Sequence, residues 1–110
     1  MTERTLYRAI SKAELDDWRE SDLFRCSANT IEAKQFWESM KAARNFVDLS
    51  HRRNFNPRYF CILKIKIDKN CLEQIKYESQ ELDRYMAITI REIDLQQFNK
   101  CEKKIKQYDI

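Results

Sequence analysis

The sequence predicts an α+β domain, and three observations carry that prediction. Tyr59–Ile67 alternates as a strand, with Tyr59, Cys61, Leu63, Ile65 and Ile67 on one side and Lys64 and Lys66 on the other. Ala33, Phe36, Trp37, Met40, Ala43 and Val47 recur at three- and four-residue steps, which predicts a long helix from Thr30 to about Val47. The remaining segments read as short strands and short helices joined by short connections, a pattern that favours a mostly antiparallel sheet with helices packed on it. At 110 residues, the chain is read as a single domain over 1–110.

In chain order, Thr5–Ile10 is a first strand, with Leu6, Arg8 and Ile10 on one face and Tyr7 and Ala9 on the other. Ser11-Lys12-Ala13-Glu14 has the form of a capping box, so a short helix runs from Lys12 to Arg19 or Glu20, with Leu15 and Trp18 inward. Leu23–Cys26 reads as a short strand. The long helix follows, and after it comes the polar stretch Asp48–Arg58 with the single proline and three arginines. Phe60 and Ile62 make the start of the Tyr59–Ile67 strand apolar on both sides. Cys71–Tyr77 makes one or two helical turns, Glu78–Asp83 is an acidic lead-in, and Arg84–Ile90 is a strand. Ile93–Asn99 is a helical turn anchored by Leu95 and Phe98, and Lys100–Ile110 closes the chain as a strand.

Composition removes several function classes. There is no glycine, so neither a P-loop nor a GxGxxG dinucleotide turn is present. Turns that need positive φ fall to asparagine or aspartate, with Asn45, Asn54, Asn56 and Asn70 as candidates. Four scattered cysteines without a CxxC pair, together with one histidine, argue against a zinc site, and the cysteines are read as free, mostly buried thiols. No apolar run reaches the roughly 20 residues of a membrane span and no signal-peptide core opens the chain, so a cytoplasmic, membrane-free protein is expected. The net charge of +3 permits an acidic partner without demanding one.

Three stretches carry a resemblance. They are Leu6-Tyr7-Arg8-Ala9-Ile10-Ser11 with Glu14-Leu15; Leu23-Phe24 through Ser27-Ala28-Asn29-Thr30-Ile31-Glu32-Ala33 with Phe36; and Arg84–Ile88 with Ile93-Asp94-Leu95 and Phe98-Asn99. Together they resemble small bacterial and phage proteins of the ADP-ribosyltransferase-like fold. The resemblance implies split, mostly antiparallel sheets around the long helix. It also implies NAD as substrate, without a metal, and a macromolecular target for a toxin or phage-type effector.

Under that resemblance Tyr7 and Arg8 on the first strand, with Ser27 and Thr30, hold NAD, and Glu81 or Asp83 is the acid that stabilises the oxocarbenium-like centre and activates the acceptor. The sequence departs from the family at Gln80-Glu81-Leu82-Asp83, where the second carboxylate is shorter, and in its lack of glycine. Ser27 and Thr30 also read as plain helix caps, and Glu81 and Asp83 as a solvated turn. Two further readings stand beside the enzyme. One is a non-catalytic binding or inhibitor protein on the same fold. The other is an RNA-binding protein using Arg52, Arg53, Arg58, Lys64 and Lys66.

Overall fold

The computed structural model describes residues 2–25, 33–54, 58–82 and 84–110. The elements are β1 (Glu3–Ser11), α1 (Lys12–Ser21), β2 (Ala33–Trp37), α2 (Met40–Arg52), β3 (Tyr59–Asp68), α3 (Lys69–Glu73), β4 (Glu78–Leu82), β5 (Tyr85–Arg91), α4 (Glu92–Lys100) and β6 (Lys103–Asp109). The strands form one six-stranded sheet in the order β4-β5-β2-β1-β3-β6, with every pairing antiparallel. The α+β expectation holds.

Both faces of the sheet are covered. On the inner face Leu6, Ile10, Phe36, Leu63, Ile65, Ile88 and Ile90 pack with Leu15 of α1, Leu72 of α3, and Leu95 and Phe98 of α4. On the outer face Ala9, Trp37, Ile62 and Ala87 pack with Ala42, Ala43 and Val47 of α2. The expected split into separate sheets is not found: the strands make one continuous sheet. β4-β5-β2 and β1-β3-β6 are each well paired, but β1 and β2 share the single register pair Tyr7↔Trp37. The halves remain one hydrogen-bonded sheet with a thin seam.

The long helix from Thr30 does not form. Ala33–Trp37 is a strand, the helix begins at Met40, and residues 26–32 lie outside the described ones. Ser39 is the N-cap, its Oγ accepting from the Ala42 amide at 3.1 Å. The helix period across this region was produced by two elements. Phe36 and Trp37 are consecutive and both buried because they enter opposite cores, and a sheet covered on both faces permits that.

Other boundaries also moved. Phe24 and Arg25 are not in a strand. The Phe24 backbone is satisfied by Asn99 of α4, whose Oδ1 accepts from its amide and whose Nδ2 donates to its carbonyl, both at 2.8 Å. The acidic lead-in is the exposed edge strand β4. α3 starts two residues earlier than the expected Cys71 turn. Tyr59 joins the outer core rather than following Cys61, because the β1–β3 register slips between Ile10 and Ser11 and passes over Phe60. Among the described residues the positive-φ positions are Asp22, Asn54 and Arg84; of the four asparagines expected to turn the chain, Asn54 does so, Asn45 and Asn70 are helical, and Asn56 lies outside the described residues.

The cysteine expectation is corrected in part. Cys71 and Cys101 form a disulfide that ties α3 to the end of α4, while Cys61 is free and buried; Cys26 lies outside the described residues. The two half-cystines are separated by 30 residues, so reduction is expected to remove about 2–4 kcal/mol of stability. Denaturant midpoints with and without reductant measure it, and a Cys71→Ser/Cys101→Ser variant should match the reduced parent.

Candidate functional site

Among the described residues, the seam between β1 and β2 has one register pair and is held mainly by side chains. Arg8 lies on the inner face of β1 between Leu6 and Ile10, next to the β2 backbone it no longer pairs with. Its Nη1 donates to the Gln35 carbonyl at 2.8 Å, taking the place of a ladder bond. Its Nε and Nη2 donate to Glu14 Oε2 at 2.6 Å and Oε1 at 2.8 Å, a bidentate pair. Lys34 of β2 adds a third member, its Nζ donating to Glu14 Oε1 at 3.2 Å. The Arg8 guanidinium also sits over the Phe36 ring, 5.6 Å from its centroid.

Glu14 reaches this position because half of the capping box is used. The Ser11 Oγ accepts from the Glu14 amide at 3.3 Å, starting α1. The Glu14 carboxylate then turns toward Arg8. Burial pushes the Glu14 carboxyl up, but the bonds and charges of Arg8 and Lys34 outweigh it and hold it below its ordinary value.

A second arginine from the same face of β1 crosses the seam four residues, about 13 Å, along the strand. Arg4 donates from Nη2 to Glu38, just beyond β2, and from Nη1 to the Tyr77 hydroxyl at 2.9 Å. The half-sheets are thus joined by one residue pair and two arginine clamps. Sequence reading singled out Arg8 but not Arg4, Glu14 as a side-chain partner, Lys34 or Glu38. The available signal was a basic residue at alternate strand positions, Arg4 and Arg8, where apolar residues were due.

The structure separates the other expected site residues. Tyr7 points to the outer face, away from Arg8. Glu81 lies on β4, opposite Met86. It shares the inner face with Arg8, but β5 and β2 lie between them, a lateral offset of about 14 Å at ordinary strand spacing. Phe24, Phe36, Phe98 and Ile88 fill the sheet between the two. Ser27, Thr30 and Asp83 lie outside the described residues. Arg52 ends α2, Arg53 caps it and Arg58 precedes β3, all exposed. They stand apart from Lys64 and Lys66, with Arg58 about 20 Å along β3 from Lys64.

A cavity of about 300 Å³ lies elsewhere, lined by Lys76, Tyr77, Glu78, Thr89 and Arg91, and none of the expected site residues borders it. Among the described residues no group of histidine, cysteine and carboxylate side chains is arranged to hold a metal, and no helix is long and apolar enough to cross a membrane.

No protein-family model, no curated protein and no solved structure matches this chain.

Proposed function

We propose that the chain binds NAD at the β1/β2 seam and transfers its ADP-ribose to a macromolecule, with Arg8 as the anion clamp. The observation that carries this reading is the state of the Arg8 fork. Guanidinium has five N–H groups; among the described residues Glu14 and Gln35 engage three, leaving two on an arginine held rigidly where β1 and β2 part. Its side chain keeps 15% of its surface open. An arginine already fixed by three hydrogen bonds and still holding two N–H groups is suited to a pyrophosphate, because little side-chain freedom remains to be lost on binding.

The chemistry asked of the site is modest. The bond between nicotinamide and the ribose anomeric carbon breaks, and nicotinamide leaves with the electron pair. A nucleophile of the acceptor bonds to that carbon, and a carboxylate takes the acceptor proton. Glu81 and Asp83 are the candidates for that carboxylate. Glu81 stands on an exposed edge strand, separated from Arg8 on the inner face by β5, β2 and the buried Phe24, Phe36, Phe98 and Ile88.

The expected result is nicotinamide release by the parent protein with NAD and a lysate acceptor. Glu81→Gln should slow release by about 10²-fold or more, the usual weight of a general base. Release at the parent rate from both Glu81→Gln and Asp83→Asn would reject the assigned acid. Binding without release would leave the non-catalytic reading of the same site.

A further inference from the structure

We propose that the outer face of the β1-β3-β6 half-sheet docks a single-stranded nucleic acid. This surface is on the opposite side of the sheet from Arg8 and does not depend on the NAD reading.

The register assembles the surface from residues far apart in sequence. Lys64 stands directly opposite Lys106, and Lys66 directly opposite Lys104. On the other side of β3, Tyr7 is opposite Lys64 and Thr5 opposite Lys66. All six share the outer face with Ile62, where the packing of α2 ends. Successive lysine rows are about 6.7 Å apart along the strands. None of the four lysines has an ion-pair partner among the described residues. The directly opposed acids Glu3 and Asp68 close the far end.

Like charges placed directly opposite one another destabilise a sheet. Lysines on an edge strand guard against aberrant pairing, which accounts for Lys104 and Lys106 on β6. That explanation does not reach Lys64 and Lys66, because β3 is an interior strand paired on both sides. Two opposed lysine pairs on an open sheet are accounted for by an anion that neutralises them.

The aromatic neighbours choose the occupant. Tyr108 lies opposite Ile62 at the inner margin, with the Lys106 ammonium 5.2 Å from its ring centroid, and Tyr7 borders the same row. Cations beside partly open rings on a sheet face serve phosphates and unstacked bases together. An acidic peptide uses the lysines alone, and in a duplex the bases are stacked away from the tyrosines.

The test is fluorescence anisotropy of the full chain with labelled 12-nucleotide oligo-U and oligo-dT and with a duplex of equal length. Neutralisation of four phosphates predicts a single-strand affinity that falls by about 50-fold between 50 and 200 mM salt. Lys64→Gln/Lys66→Gln should reduce that dependence to about 7-fold with no loss of melting temperature, since repulsion is relieved. Tyr108→Ala should weaken single-strand binding by about 10-fold with an unchanged salt slope. Preference for oligo-U over oligo-dT would identify RNA, and equal binding either single strand. Absent binding, or a lysine variant that binds like the parent, overturns the surface. A duplex bound as tightly as the single strand, with Tyr108→Ala without effect, overturns the single-strand assignment.

Discussion

Glu14→Ala is expected to cost about 3–5 kcal/mol, because it leaves the Arg8 and Lys34 cations under α1 without their shared carboxylate. The carboxylate removed is itself largely withdrawn from solvent, with 19% of its side chain exposed. The same group sets an acid dependence. The folded-state pKa of Glu14 lies below its ordinary value, so its contribution is complete above about pH 4.5 and is lost as pH falls through the folded value. Glu14→Gln should therefore be less stable than the parent at pH 7, and the gap should narrow as the pH is lowered below 4. Urea titrations of both proteins across that range provide the measurement. A gap that does not change with pH would mean that Glu14 is not the charge holding the seam.

Phe36→Ala is expected to cost about 3–5 kcal/mol, the range for emptying a fully buried phenylalanine site. Phe36 contacts the Phe24 and Phe98 rings at centroid distances of 5.9 and 4.9 Å, so truncation leaves a cavity between β2 and α4. It also removes the ring beneath Arg8. The two changes should therefore couple, and Arg8→Lys should cost less in the Phe36→Ala background than in the parent. Phe36→Leu, which keeps most of the volume, should lose less than half as much as Phe36→Ala in denaturant midpoint. Equal losses for alanine and leucine would place Phe36 outside a tightly packed core.

These two residues also show what the sequence made readable. Strands with a strong alternation or a covered face are legible close to their true bounds, as with β1, β3 and β5, whereas the weakly alternating β6 starts at Lys103 and not at the expected Lys100. The capping signal at Ser11 correctly started α1. β2 was concealed because Phe36 and Trp37 supply both cores from adjacent positions, and five strand residues followed by a helix mimic one helical stripe. Ser39 marked the true helix start, but no acidic residue follows in the first turn to reinforce it. β4 is an edge strand without a buried residue, so it carries no apolar pattern to detect. At the seam, Arg8 was legible because an arginine on an otherwise apolar strand face needs a partner. Its partner was not, since Glu14 was already accounted for as a cap, and the Cys71–Cys101 bridge left no spacing signal.

Binding of NAD to the purified protein, followed by calorimetry, tests the seam most directly when the parent is compared with Arg8→Lys. Lysine keeps the positive charge for Glu14 but loses the planar fork and its two remaining N–H groups. Saturable binding by the parent, weakened by about 10-fold or more in Arg8→Lys while circular dichroism shows both proteins folded, is the predicted result. No heat at millimolar NAD, or equal affinity in the two folded proteins, would contradict a nucleotide site at the β1/β2 seam.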